Sequence, residues 1–85
     1  MVFVAKEKVR LHRGLQARNT TIFVAKARTF SSDVILTKNG KSSNGKEIMK
    51  VMDLNVNKGD DITLLVSGTD EQAAIHTLKD FLLNK

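Results

Sequence analysis

The dipeptide Asn39–Gly40 is the feature that most restricts how this chain can fold. Asparagine and glycine adopt positive φ angles at little cost, and together they are the strongest short signal for a two-residue β-hairpin turn. The β-branched stretch DVILTK, residues 33–38, comes directly before the pair. We therefore expect residues 33–38 to form a strand and residues 41–43 to pair with it in the antiparallel direction.

Two further segments have the pattern of β-strands. In residues 2–11, Val9 and Leu11 fall on one face, but Glu7 falls on the same face, which favours an edge strand or a loosely paired one. Residues 62–67, ITLLVS, follow the turn-forming run NKGDD and are almost continuously apolar. Such a run is typical of a strand at the centre of a sheet.

The first and last helices are predicted from apolar residues at helical spacing in residues 17–29 and 70–83. Thr69 and Gln72 have the spacing of a capping box at the start of the last helix. The side chains expected to face the core are Phe23, Ala27, Phe30, Ala74, Ile75, Leu78 and Leu82.

A short middle helix is predicted within the stretch NGKEIMKVMDL. Asn44 is a candidate N-cap, and Glu47 can return a hydrogen bond to its amide in a variant of the capping box. Lys50 lies three residues after Glu47, close enough for a weak ion pair. The apolar residues of this helix are Ile48, Met49, Val51 and Met52.

The predicted order of elements is strand, helix, strand, strand, helix, strand, helix. It indicates an α+β two-layer sandwich, in which one mainly antiparallel sheet has its helices on one face. A chain of 85 residues is expected to form a single domain, residues 1–85. The absence of cysteine excludes a disulfide framework, and no segment has the pattern of a signal peptide or a membrane span, so we expect a soluble, cytoplasmic protein without a membrane partner.

The net charge of +5 raises the possibility of nucleic-acid binding. The lysines and arginines are scattered, however, and the chain has no tyrosine or tryptophan on which bases could stack. The basic surface is therefore expected to meet solvent or acidic protein partners, with no direct nucleic-acid binding. The four aromatic residues have the pattern of core residues: Phe3, Phe23, Phe30 and Phe81.

No catalytic, metal-binding or cofactor-binding set stands out, which predicts a protein that is not an enzyme. The two histidines, His12 and His76, lack metal-ligand spacing and have no cysteine partner. His76 is expected on the solvated face of the last helix. His12 lies four residues before Gln16 and is either a surface histidine at a strand end or a phosphoryl acceptor by proximity.

The stretch RGLQARNTT, residues 13–21, leads a glycine-containing loop into the first helix. The unpaired N–H groups of a helix's first turn attract anions, and Arg18 would add a positive charge. Gln16 stands where such a site would need a reactive group, yet a carboxamide is neither ionised nor a useful nucleophile. The pattern therefore indicates a site that can hold an anion but has an unreactive carboxamide at its centre.

Over about residues 6–83, the ordered motifs GLQAR, FSSDV, KNGK, NGKEIMKVM and KGDDITLLVSGTDEQAA resemble the HPr family. This family contains the histidine phosphocarriers of the bacterial sugar phosphotransferase system, and its fold is an open-faced sandwich with the order βαββαβα. In the family motif a histidine takes the phosphoryl group, and Gln16 holds that position here. Arg18 is kept, whereas Asn19 replaces a proline. The glutamine is the mark of Crh-type regulatory relatives.

The resemblance also implies a regulatory position and a partner-binding surface. The family's regulatory serine is replaced by Glu47, which is either a partial phosphoserine mimic or only a capping residue. We expect a regulatory protein that binds a catabolite-control-type transcriptional repressor or another regulated protein, as a monomer or a strand-swapped homodimer. The alternatives are a phosphocarrier that uses His12 and an interaction protein that has lost the family's function. The expected partner-binding residues are Arg18, Thr21, Ile48, Met49 and Met52.

Overall fold

The structure, a computed structural model, describes residues 4–12, 14–16 and 18–84. Within this part of the chain, no helix is both long and apolar enough to cross a bilayer. The predicted order of elements is confirmed, although residues 2, 3 and 17 of the predicted segments lie outside the described residues. The elements are β1 (Val4–Arg10), α1 (Arg18–Arg28), β2 (Asp33–Lys38), β3 (Lys41–Asn44), α2 (Ile48–Asp53), β4 (Asp61–Ser67) and α3 (Glu71–Leu82).

The four strands form one antiparallel sheet in the order β1-β4-β2-β3. The apolar strand β4 lies at the centre, and β1 lies at an edge, as the alternation with Glu7 indicated. Ile62, Leu64 and Val66 of β4 are buried, whereas the residues between them are half-buried. One face of the sheet is therefore packed and the other is open, which confirms the two-layer α+β class.

The hairpin between β2 and β3 turns at the predicted dipeptide. Asn39 and Gly40 have φ angles of 51° and 79°, and Lys38 pairs with Lys41 across the turn. Two successive positive φ values are the signature of a type I′ turn, whose twist matches that of the paired strands. The local sequence alone is thus sufficient to place this turn.

The helices bury one apolar face each against the packed side of the sheet. Phe23 of α1 and Phe81 of α3 are both buried, with ring centroids 6.3 Å apart. Phe30 is only partly buried at the end of α1, and Phe3 lies outside the described residues. The predicted core residues of α3 are all buried: Ala74, Ile75, Leu78 and Leu82.

The capping box predicted for α3 is wrong. The N-cap is Asp70, whose side chain makes no capping bond because its carboxylate instead accepts hydrogen bonds from Ser31 and Ser32. The hydrogen bond from the Ser32 hydroxyl is the leading reason that the pKa of Asp70 is lowered to about 2. Thr69 and Gln72 are exposed and form no box. Asp70 therefore ties the start of α3 to the loop after α1.

The capping box predicted for α2 is also wrong. Asn44 is the last residue of β3, and its side-chain Oδ1 accepts a 2.9 Å hydrogen bond from the Lys46 backbone N–H. Helix α2 begins at Ile48, and Glu47 is its N-cap without a side-chain capping bond. The asparagine side chain is used by a tight turn after the strand, and Glu47 takes part in α2 through its backbone carbonyl alone.

Candidate functional site

Two loops that are far apart in sequence are joined by main-chain hydrogen bonds beside the start of α1. The Leu11 N–H donates to the Asp60 carbonyl, and the Gly59 N–H donates to the Leu11 carbonyl, both at 2.9 Å. The Leu15 N–H donates to the Val56 carbonyl at 2.9 Å. Because Leu11 and Leu15 are also buried, the segment that carries Gln16 is fixed against the loop that precedes β4.

Gly14 lies where these two loops touch, and its lack of a side chain allows a close approach. A Cβ atom on Gly14 would lie 3.1 Å from the Lys58 backbone nitrogen, closer than side-chain atoms normally approach. The Gly14 carbonyl accepts a 3.1 Å hydrogen bond from the side-chain amide of Asn19. Asn19, at the position of the family's proline, thus ties the loop to the first turn of α1.

The side chain of Gln16 forms an amide pair with Asn57. The Gln16 Nε2 donates to the Asn57 Oδ1, and the Gln16 carbonyl accepts a 3.1 Å hydrogen bond from the Asn19 N–H. Asn57 was not predicted, since nothing in the local sequence links two residues that lie 41 positions apart. Both amide groups sit on an exposed part of the surface, at the anion site that the sequence indicated.

An open pocket of about 710 Å³ lies at this point. Arg18 and Lys58 supply its positive charge, and carboxamides and backbone supply hydrogen-bond donors. No imidazole, thiol or hydroxyl group is among the lining side chains that the structure describes, so the pocket offers an anion contacts but none of these three phosphoryl-accepting groups. The lining residues are Gly14, Gln16, Arg18, Asn19, Asn57 and Lys58.

Asn57 is held in place from behind by Lys38 and Asp60. The Asp60 carboxylate contacts the Lys38 Nζ at 2.8 Å and accepts a 2.8 Å hydrogen bond from the Asn57 N–H. These two hydrogen bonds, with Lys38 first, lower the pKa of Asp60. Lys38 Nζ also donates to the Asn55 carbonyl at 2.6 Å. One lysine at the end of β2 therefore fixes the loop that presents Asn57.

His12 lies outside the lining of this pocket. Its side chain is exposed, and its backbone N–H donates to the Leu82 carbonyl at 3.0 Å. The main-chain bond anchors the residue to the end of α3, so His12 is placed as a surface histidine next to a strand end.

Helix α2 exposes an unusual amount of apolar surface. Val51 is fully buried, whereas Ile48, Met49 and Met52 are 40%, 68% and 44% exposed. A helix of two turns that buries one position must leave its remaining circumference in solvent. We call these three exposed side chains the α2 patch. Thr21 and Arg18 are exposed on the neighbouring helix α1.

Glu47 is exposed at the start of α2, and no ion pair joins it to Lys50 in the described chain, contrary to the expected weak pair. The backbone beside it is anchored: Arg28 Nε donates to the Lys46 carbonyl at 2.8 Å, and Lys46 Nζ donates to the Phe30 carbonyl at 2.7 Å. The main chain at Glu47 is thus fixed while its carboxylate remains in solvent.

These contacts set the direction of α2. Its first residue follows a segment bonded to Arg28 at the end of α1, and the loop after it carries Asn57 to Gln16 near the start of α1. The two helices therefore run antiparallel. Glu47 and the pocket lie at opposite ends of α2, with the α2 patch between them.

Comparisons with known proteins agree with this arrangement. Residues 4–84 match the family model described as the PTS HPr component phosphorylation site. The HPr-like protein Crh of Bacillus subtilis (strain 168) is 47% identical over 77 residues, which are 91% of each chain. The crystal structure of the phosphocarrier protein HPr from Bacillus anthracis str. Ames superposes with a TM-score of 0.89 at 33% identity, covering 93% of this chain and 96% of that one.

A crystal structure of Bacillus subtilis Crh superposes with a TM-score of 0.77 at 47% identity, covering 87% of this chain and 85% of that one. That protein is described as a catabolite repression protein that forms a swapped, intertwined dimer. The family-model match over residues 4–84 includes the loop of Gln16 and helix α2. The chain therefore belongs to the HPr family and is similar to its Crh members.

Proposed function

We propose that this protein is a non-enzymatic regulator that binds a protein partner through the α2 patch together with Arg18 and Thr21. The observation that carries the proposal is the exposure of Ile48, Met49 and Met52. They lie on a helix whose preceding segment is fixed by the hydrogen bonds of Arg28 and Lys46. Methionine side chains adapt their shape to a partner, and a contiguous exposed apolar surface is typical of an interaction site.

The Gln16 pocket supports binding in place of phosphoryl transfer. The carboxamide cannot accept a stable phosphoryl group, and its amide is already paired with Asn57. Arg18 and Lys58 still give the pocket a positive charge that an acidic group of a partner can meet. The site that phosphocarriers of the family use for phosphoryl transfer thus serves, in this proposal, as a contact surface for the partner.

We propose further that Glu47 supplies a fixed negative charge where the family uses phosphoserine. A phosphoserine carries about −1.5 to −2 charges and three acceptor oxygens, whereas a glutamate carries one charge and two oxygens, so the mimicry is partial. The absence of a capping bond and of an ion pair with Lys50 favours this role, because the carboxylate is not used by the fold. The partner we propose is a catabolite-control-type transcriptional repressor, bound without a kinase.

The test is a calorimetric titration of such a repressor with the wild type and with Glu47→Gln at low salt, where exposed charges are least screened. We expect weak binding that Glu47→Gln reduces, and Glu47→Ser should lose binding until a kinase modifies it. Asp53→Asn is the matched control, because Asp53 is an exposed acid at the other end of α2. Equal binding by wild type and Glu47→Gln would leave Glu47 without a role in the interface.

We also propose that the protein exchanges β1 between two copies; the Bacillus subtilis Crh structure is likewise described as a dimer with a swapping domain. Strand β1 lies at the sheet edge, pairs with β4 over seven positions, and is followed by a loop with Gly14. The 3.5 Å contact between Glu7 and Lys79 of α3 can form equally well within one copy or between two. Exchange of identical contacts makes such a dimer inexpensive in free energy.

A further inference from the structure

The chain contains two Asn–Gly dipeptides, and each is followed by lysine. One is Asn39–Gly40, at the turn between β2 and β3, and the other is Asn44–Gly45, at the end of β3. Asparagine before glycine is the step of a protein chain most prone to deamidation, because glycine has no side chain to shield its own backbone nitrogen. Since the reacting residues are the same in both dipeptides, a difference in their reactivity within the folded protein reports their structural surroundings.

Deamidation joins the side chain of an asparagine to the next backbone nitrogen. The glycine nitrogen gives up its proton to a base and attacks the asparagine Cγ. The new C–N bond closes a succinimide ring, while the bond from Cγ to Nδ2 breaks and ammonia leaves. Water then opens the ring at either carbonyl carbon and leaves aspartate or isoaspartate. The reaction therefore needs an unengaged backbone N–H and a carboxamide that can turn toward it.

At Asn44–Gly45 the fold opposes both requirements. The Gly45 N–H donates a 2.7 Å hydrogen bond to the Val34 carbonyl, and Gly45 is buried. A Cβ atom on Gly45 would lie 2.6 Å from the Val34 Cγ1, so this backbone is packed against β2. The Asn44 Oδ1 accepts a 2.9 Å hydrogen bond from the Lys46 N–H, which holds the carboxamide in the turn.

At Asn39–Gly40 neither restraint is present. Both residues are exposed, and a Cβ atom on Gly40 would meet nothing within 4 Å. The hydrogen bond of a β-turn runs between its first and last residues, here Lys38 and Lys41, and does not use the Gly40 N–H. Within the described part of the chain, neither the Asn39 carboxamide nor the Gly40 N–H makes a hydrogen bond. The nitrogen and the carboxamide can therefore meet without breaking a contact of the fold.

We propose that Asn39 is a spontaneous deamidation site at the tip of the hairpin, and that the fold protects Asn44 from the same reaction. Either product adds one negative charge to a chain whose net charge is +5. Isoaspartate also places an extra carbon atom in the main chain, which changes a turn built from two residues with positive φ angles. The modification thus alters the charge and the shape of the hairpin without an enzyme.

The test compares the two asparagines within one sample. The native protein is kept for several weeks in mildly alkaline buffer, and a second sample is kept in guanidinium chloride. Trypsin cleaves after Lys38, Lys41 and Lys46, which places the asparagines on separate peptides for mass spectrometry, and a fresh digest corrects for deamidation during cleavage. In the native protein Asn44 should react roughly tenfold or more slowly than Asn39, the factor that corresponds to breaking one hydrogen bond. In guanidinium chloride the two rates should be similar.

Two variants identify the products. Asn39→Asp should elute from an ion-exchange column with the aspartate form of the aged wild type. Enzymatic methylation detects isoaspartate, and Asn39→Gln should lose this signal because the longer side chain closes its ring far more slowly. Equal rates at Asn39 and Asn44 in the native protein, or a faster reaction at Asn44, would overturn the proposal. An Asn39 that stays intact in the native protein while both asparagines react in guanidinium chloride would overturn it as well.

Discussion

Replacing Val51 by alanine should loosen α2 without touching its exposed surface. Val51 is the one buried residue of α2, and it is fully buried. The change removes two methyl groups, worth about 0.8 kcal/mol each in transfer free energy. The cavity that remains adds to this loss, so we expect the free energy of unfolding to fall by about 2–3 kcal/mol. In a domain of this size the melting temperature should drop by roughly 10–20 °C.

Met49→Ala is the matched comparison on the same helix. Met49 is 68% exposed, so its truncation should change the free energy of unfolding by less than about 0.5 kcal/mol. Urea unfolding measured by circular dichroism gives both values. Repressor titration should show the opposite order, with Met49→Ala weakening binding by more than about 1 kcal/mol if the residue is an interface hot spot. Equal destabilisation by the two variants would refute our assignment of buried and exposed sides of α2.

Asp70→Asn should lower the melting temperature at neutral pH and flatten its fall on acidification. The lowered pKa of Asp70, about 2, means that its contribution is present above the ordinary value of 3.8 and is lost as pH falls through 2, which melting curves between pH 5 and 2 will show. Gly68→Ala should cost roughly 2 kcal/mol or more in urea unfolding, because Gly68 has a φ angle of 152° and a Cβ there would meet Ser32. The family's phosphoryl-donor enzyme should leave no acid-labile phosphate on Gln16 by mass spectrometry, and label on His12 would support the carrier alternative. Size-exclusion chromatography from micromolar to millimolar concentration should reveal a dimer, and a monomer throughout would count against the exchange of β1.

The elements that the sequence predicted well are those whose signals are local. The turn at Asn39–Gly40 requires positive φ angles that few other residues adopt readily, and the almost continuous apolar run of residues 62–67 indicated the interior strand that β4 forms. Helix α3 repeats its apolar residues with the helical period. None of these features depends on a distant residue, so the local sequence is sufficient to predict them.

The predicted caps failed because α3 begins at Glu71, with Asp70 and not Thr69 as its N-cap, and because the Asn44 side chain is used in a turn before α2. Asp70 is bonded by Ser31 and Ser32, which precede it by 39 and 38 positions, and Asn44 closes a turn after β3. The Gln16–Asn57 pair also joins two loops that only the folded chain brings together. The α2 patch was expected from the family resemblance, and its exposure agrees with the fact that a helix of two turns cannot bury all of its apolar residues.

The anchoring of α2 through main-chain atoms has a consequence for how this surface can evolve. Arg28, Lys46 and Lys38 all donate to backbone carbonyls around the helix, and those carbonyls exist whatever the neighbouring side chains are. Position 47 contributes no side-chain bond to the fold. Serine, glutamate or another polar residue can therefore occupy it at almost equal stability. Under the role that we propose for Glu47, a single substitution at this position exchanges a reversible phosphorylation signal for a permanent charge without changing the backbone that presents it.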